Sequence, residues 1–197
     1  HPRMGATDVC PLIPVSGMDM KEVIEYSKKL GKRVGKELKI PVYLYEHSAS
    51  KQHRKNLANI RQGEYESLAN KINESKWKPD FGSNNTTIIE KCGATAIGAR
   101  DFLIAYNINL NTTSTRRANA IAFDIREKGR IARKNNKLTG EILKDKDGNT
   151  IWKPGSLKHV KAIGWYIEEY GVTQISMNLT NINKTPIHVV FDEVCKK

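Results

Sequence analysis

Along the first half of the chain, short apolar runs alternate with long polar stretches. Val9 to Val15 reads as a buried strand ended by Ser16-Gly17. Asp19 then stands where a helix cap belongs. The apolar positions Val23, Ile24, Leu30, Val34 and Leu38 approximate one face of a helix from about Met20 to Leu38. Ile40 to Tyr45 is the next strand, with Pro41 at its start, where a missing amide is tolerated. From Ser48 to Trp77 the pattern turns polar and charged. It predicts a helix over Gln52 to Arg61 and another around Leu68 to Ser75, in an excursion over the surface with no core of its own. Lys78-Pro79-Asp80-Phe81-Gly82 breaks the structure, Ser83 to Thr87 reads as a polar loop, and Ile88-Ile89 re-enters the interior.

Gly93-Ala94-Thr95-Ala96-Ile97-Gly98-Ala99-Arg100 is a run of small residues. Such a run lets another group approach the backbone closely, or makes a tight crossover between two packed units. It is not GxGxxG, so a dinucleotide fold gains little from it. Beyond it, Phe102 to Leu110 predicts a strand whose second half puts Asn107 and Asn109 on one face. Ser114 or Thr115 caps a helix ending at Gly129, with Ala118, Ile121, Ala122 and Ile125 as its apolar stripe. Arg130 to Trp152 is basic and polar, with a hairpin turn at Lys146-Asp147-Gly148-Asn149. Strands follow at Val160 to Tyr166 and Val172 to Leu179, then a helix from Pro186 to Cys195. This strand–helix–strand–strand–helix order is that of a ferredoxin-like unit stopping before its last strand.

Composition narrows the picture. The 197 residues carry 33 lysines and arginines against 21 aspartates and glutamates, a formal charge of +12. That charge attracts anions, whether nucleic acid, an acidic surface or a small polyanion. The basic residues are dispersed, with no aromatic-laced basic motif, which weighs against a nucleic-acid specialist. No apolar run is long enough for a membrane span. Cys10, Cys92 and Cys195 form no CxxC and no zinc pattern, so reduced thiols in a cytoplasmic protein are expected. The chain opens on His1-Pro2 without a methionine and so reads as a fragment. Proline holds the residue before it extended, presenting His1 from a strand-like edge.

Several long motifs carry a resemblance. They are His1-Pro-Arg-Met-Gly-Ala-Thr-Asp-Val-Cys-Pro, Ile40-Pro-Val-Tyr-Leu-Tyr-Glu, Arg61-Gln-Gly-Glu-Tyr-Glu, Pro79-Asp-Phe-Gly, and the run from Gly93 through Leu110. Gly164-Trp-Tyr and Gln174-Ile-Ser-Met-Asn-Leu-Thr-Asn continue it. Together they resemble the glutamate formiminotransferases over nearly the whole chain. The resemblance implies an α+β protein of two ferredoxin-like subdomains, antiparallel sheets with helices on one face. They would occupy 1-92 and 93-197, both incomplete. The family has a strand-rich segment, with an acidic residue, before the position of His1, and a closing strand after the last helix here. Arg130 to Pro154 looks longer than in mammalian members.

What the resemblance implies chemically is transfer of the formimino group from N-formimino-L-glutamate to N5 of tetrahydrofolate in histidine breakdown. Folate would lie in a positively charged tunnel between the subdomains. The enzyme would be a homodimer using no metal, nucleic acid or membrane, and its folate would include polyglutamylated forms. By resemblance His1 is the proton-transfer residue, an imidazole titrating near neutrality. The stretch Gly82, Ser83, Asn84, Asn85, Thr86, Thr87, Ile88, Ile89, Glu90, Lys91, Cys92 and Gly93 matches the family's folate-binding loop, or is a plain linker. Arg3, Lys91 and Arg100 are candidates for carboxylates. Asn107, Asn109 and Asn178 are polar strand positions, candidate substrate contacts or simply solvated. His47, His53, His159 and His188 read as surface or core histidines. Two other readings stay open: a relative using a formyl donor, and a non-catalytic basic binding module.

Overall fold

Asp19 begins the longest helix, α1 (Met20–Glu37), through a reciprocal cap. Its carboxylate accepts the Glu22 amide at 2.9 Å, and the Glu22 carboxylate accepts the Asp19 amide at 2.9 Å. This computed structural model describes residues 2–137 and 139–197, Asn136 by its backbone alone. The buried face of α1 is Val23, Ser27, Gly31 and Gly35. Small residues rather than Leu30 or Leu38 set that face, because Phe81 and Gly82 press against it. A Cβ on Gly35 would stand 2.5 Å from the Gly82 nitrogen.

The chain divides into two compact units, His1–Asp101 and Phe102–Lys197. In the first, strands β1 (Val9–Leu12), β2 (Val42–Leu44) and β3 (Thr95–Ala99) form one sheet in the order β1-β3-β2. Both pairings are parallel, with Val9 opposite Ala96 and Val42 opposite Thr95. The antiparallel sheet expected in each unit is therefore found only in the second. The small-residue run is the buried central strand β3, not a crossover, so it belongs to the first unit rather than to a subdomain starting at 93. Gly98 shows why it must be small, since a Cβ there would meet the Tyr45 carbonyl oxygen at 2.2 Å.

The polar stretch expected to run over the surface instead supplies much of this unit's core. Ile60, Leu68, Ile72 and Trp77 are buried with Met4, Tyr43, Tyr45, Ile89, Ala94 and Ala96. Its helices are single turns, α2 (Leu57–Ile60) and α3 (Leu68–Lys71), joined to short 3-10 turns. Arg54 is completely buried. It donates to Asp80 Oδ2 at 2.8 Å and to the carbonyls of Lys76 and Lys78 at 3.0 and 2.7 Å. Both terminal nitrogens of the guanidinium are thus bonded, while its buried Nε has no partner among the described residues. A further helix, α4 (Thr86–Cys92), precedes β3.

In the second unit β4 (Ile104–Leu110) and α5 (Thr115–Ile125) lead to a two-stranded ribbon of β5 (Arg130–Ile131) and β6 (Trp152–Lys153). Then come β7 (Val160–Ile167), β8 (Val172–Leu179) and α6 (Ile187–Lys196). The main sheet is β4-β8-β7, antiparallel throughout. This is the ferredoxin-like order the strand–helix–strand–strand–helix pattern implied. Ser114 caps α5, and Pro186 stands at the cap of α6 rather than one residue inside it. Ala118, Ala122 and Ile125 of α5 and Val190 and Val194 of α6 cover Ile175, Met177 and Leu179 of β8.

Candidate functional site

His1 lies outside the described residues; the arm that follows it is closely held. The Met4 carbonyl accepts the Ala94 amide at 2.9 Å, the Cys92 carbonyl accepts the Ala6 amide at 3.0 Å, and Gly5 bridges Gly93. Asp8 closes the turn, accepting the Met4 amide at 2.8 Å through one oxygen and the Arg61 guanidinium through the other. Gly93 is required here. Its φ is +69°, and a Cβ would meet the Met4 carbonyl oxygen at 2.2 Å. Met4, Gly5 and Ala6 are thus stapled to the end of the Gly82–Gly93 stretch.

That stretch is mostly helix rather than loop. Asn85 caps α4 by accepting the Thr87 amide at 2.9 Å, and Ser83 accepts the Asn85 amide at 3.0 Å. Ile89 is buried, while Asn84 to Thr87, Glu90 and Lys91 are exposed. Gly82 has φ +89° with its α-carbon against Ile40, and Ser83 donates its amide to Lys39 at 3.2 Å. The segment therefore starts beside the entry to β2 and ends beside the entry to β3.

Two clefts flank it. One, of about 650 Å³, is lined by Asn73, Lys78, Asp80, Phe81, Gly82 and Asn84 among others. The other, of about 600 Å³, lies against the arm, between Arg3, Gly5 and Ala6 on one side and Glu64, Tyr65, Glu66, Glu90 and Lys91 on the other. Tyr65 donates its hydroxyl to the Glu90 carbonyl at 2.9 Å, tying the Arg61–Glu66 turn to α4. Lys71 supports that turn from beneath. Its ammonium donates to the Ile60 and Gln62 carbonyls at 2.6 and 2.7 Å over the Trp77 ring, and burial pulls its pKa down.

Arg100 is not part of this group. It follows the far end of β3, so the five-residue strand alone separates it from Gly93 by about 16 Å at about 3.3 Å per residue. It sits beside Tyr45, whose hydroxyl burial pushes up to about 12. The His47 and Asp101 side chains meet nearby at 2.8 Å.

In the second unit the strand face turned away from α5 and α6 carries the expected amides. Asn107 stands opposite Ser176, Asn109 opposite Gln174, and Ala105 opposite Asn178. Gln174 donates to Asn109 at 2.7 Å and accepts from the Trp165 indole at 3.3 Å. Asn109, Gln174 and Trp165 so form a hydrogen-bonded row across all three strands. On the opposite face, Asn119 of α5 clasps Gly164, accepting its amide at 3.1 Å and donating to its carbonyl at 2.9 Å. A Cβ on Gly164 would lie 2.4 Å from the Ala118 carbonyl carbon. Among the described residues no cluster of His, Cys, Asp and Glu is arranged to hold a metal ion, and no helix is long and apolar enough to cross a membrane.

Residues 1–100 match the family model of the formiminotransferase domain, N-terminal subdomain, and residues 105–197 match that of the formiminotransferase domain. The chain belongs to the formiminotransferase family. It is 45% identical over 196 residues to the formimidoyltransferase-cyclodeaminase of Dictyostelium discoideum, covering 100% of this chain and 32% of that protein. It is 42% identical over 196 residues to the glutamate formimidoyltransferase of Thermoplasma acidophilum, and 37% identical over 194 residues to that of Streptococcus pyogenes serotype M1. Each match covers 98% of this chain, and 55% and 56% of those proteins. The chain thus spans about a third of the length of the bifunctional relatives and just over half of the others.

In this member of the formiminotransferase family three of the quoted motifs fall at close backbone packing: the arm at Gly93, the Arg61 turn on Lys71, and Gly164 on α5. Sequence reasoning missed Asp8, Arg61 and Gln174 as contributors. Asp8 four residues after Met4 is a turn signal that could have been read. Nothing in the sequence announces that Arg61 reaches back 53 residues to it.

Proposed function

We propose that this chain contributes the folate-dependent transfer of a formimino group from N-formimino-L-glutamate to N5 of tetrahydrofolate, with L-glutamate released. The observation that carries the reading is the tandem match of both family models, supported by stand-alone relatives named glutamate formimidoyltransferase. A homodimer and a cytoplasmic location go with the same reading and rest on family resemblance.

In the reaction, N5 attacks the formimino carbon and a tetrahedral intermediate forms. The bond from that carbon to the glutamate nitrogen then breaks. One proton leaves N5 and one arrives on the departing glutamate nitrogen, so the tally closes with a single shuttling base. We assign that shuttle to His1. Its role needs an imidazole held in one place, and the Met4–Ala94, Ala6–Cys92 and Asp8–Arg61 contacts supply an anchor three to seven residues away. The arm-side cleft offers Arg3 and Lys91 to carboxylates. Glu64, Glu66 and Glu90 suit the cationic amidine that the formimino group becomes on protonation. The Gly82–Gly93 segment, through Ser83, Asn84, Asn85 and Thr86, presents hydroxyls and amides for the pterin edge. Arg100, Asn107 and Asn109 are assigned to carboxylate and polar contacts of the substrates.

Isothermal titration of the native full-length protein with 5-formyltetrahydrofolate tests the reading. Micromolar binding is expected. No heat at millimolar ligand would remove folate, and with it the function, leaving the basic-module alternative.

A further inference from the structure

The basic segment that follows α5 borders a half-open cavity that the proposed transfer does not use. It lies wholly within the second unit, measures about 550 Å³, and includes Arg116, Phe123, Arg126, Arg130, Arg133 and Trp152 in its lining. Its wall is the side of α5 that carries Arg116 and Phe123, closed over by the β5-β6 ribbon. Ala118 and Ala122, on another side of that helix, are packed into the core against the sheet. The cavity is therefore on the helix layer, and the Asn109–Gln174–Trp165 row is on the opposite face of the sheet.

Two properties distinguish it from a solvated basic surface. First, among the described lining residues five are cationic, with Lys137, and none is acidic. Asp124 pairs with Arg130 at 2.5 Å from outside the lining, and Glu141 is engaged with Lys134. Gathering so many like charges around one concavity costs free energy unless an anion is there to meet them. Second, three of these cations are held in place. Arg126 donates to the Gly129 carbonyl at 2.8 Å and lies 3.9 Å from the Phe123 ring centre. Arg130 donates to the Ala120 carbonyl at 2.8 Å, Arg133 to the Gly140 carbonyl. Lys128 covers one face of Trp152 at 4.2 Å. Two groups remain open. Arg116 makes no hydrogen bond or ion pair among the described residues, and the buried Nε of Arg130 has no partner there. Between the cations the floor is apolar, formed by Ala120, Phe123, Ile131 and Trp152.

We infer that this cavity is a binding site for a small polyanion carried on a flat apolar body, such as a nucleoside polyphosphate or an aromatic polycarboxylate. Fixed guanidinium groups suit phosphate and carboxylate oxygens through paired N–H donors. The volume falls in the range of small-molecule pockets. The apolar floor supplies contact that a bare ion would not use.

Calorimetric titration of the native full-length protein with ADP, benzene-1,3,5-tricarboxylate and inorganic pyrophosphate tests this. At least one ring-bearing anion should bind tenfold or more tighter than pyrophosphate, and which of the two binds separates phosphate from carboxylate recognition. Binding should weaken tenfold or more in the double variant Arg116→Gln/Arg133→Gln and in Trp152→Ala. Lys161→Gln, on the opposite sheet face, should bind like the native protein. A far-ultraviolet spectrum unchanged in each variant separates lost binding from lost folding. Failure of both ring-bearing anions to bind at millimolar concentration would overturn the inference. So would affinity equal to that of pyrophosphate, or binding indifferent to Arg116 and Arg133. These outcomes do not depend on folate transfer, since the probes and variants lie outside the residues assigned to it.

Discussion

Arg54 concentrates the energetics of the first unit into one side chain. It is wholly buried, its partner Asp80 is nearly so, and Asp80 also accepts the Leu44 amide at 2.8 Å and the Ser50 hydroxyl. Truncation to Arg54→Ala leaves the Asp80 carboxylate without its cation and the Lys76 and Lys78 carbonyls without the guanidinium donors. The expected loss is about 3–5 kcal/mol, the range for breaking one side of a buried pair. Denaturant unfolding measures it, and a loss under about 1 kcal/mol would mean water replaces the guanidinium. His53, next to it, meets the Trp77 ring edge-on at 4.9 Å between centroids. Burial holds its pKa below 6.5. The unfolded chain therefore binds the proton more readily, so stability is complete above pH 6.5 and falls as the pH drops from there toward the lowered folded pKa. Unfolding free energies at pH 7 and pH 5 should diverge more for the native protein than for His53→Phe. Equal slopes would show that His53 titrates freely.

At the scale of elements, glycines mark where pieces must touch. Gly164 lets β7 lie directly on α5, and Gly164→Ala would force a methyl into the Ala118–Asn119 backbone. Overpacking of this kind costs about 1–3 kcal/mol, and the thermal midpoint should fall accordingly. An unchanged midpoint would show that α5 can slide. This scale also shows what the sequence could reveal. The α1 cap, β8 and the antiparallel order of the second unit were legible, because capping chemistry and period-two alternation act over a few residues. The Ser48–Trp77 region was not. Its burial comes from isolated large residues, Ile60, Leu68, Ile72 and Trp77, spaced by single helical turns too short to give a period. A buried arginine among them reads as surface in any composition count. In the Gly93–Arg100 run the close backbone approach was legible and the strand was not, because a strand buried on both faces has no alternation to detect. Of the candidate site, the residue types were legible and the stapling of the arm was not, since Asp8–Arg61 and Gly5–Gly93 are long-range pairs.

For the whole molecule, the +12 charge and the proposed anionic substrates belong to one account. Folates carry carboxylates, and a positive protein draws them in at a rate that salt suppresses. Raising ionic strength from about 50 to 500 mM should lower the association rate for 5-formyltetrahydrofolate more than it raises the dissociation rate. Stopped-flow fluorescence reads both, and a salt-independent association rate would disconnect the charge from the substrate. The arm bearing His1 carries the catalytic half of the account. On the proposed reading, Asp8→Asn should weaken the hold on it and lower kcat with little change in KM, because the anchor would orient the base rather than bind substrate.

The most direct test is the initial rate of 5-formiminotetrahydrofolate formation from N-formimino-L-glutamate and tetrahydrofolate, measured on the native full-length protein and on its His1→Ala variant. The account predicts turnover by the native protein and a drop of about 10²–10⁴-fold in the variant, the usual contribution of a positioned general acid–base. Absence of transfer by the native protein, or native-like transfer without the imidazole, would contradict it.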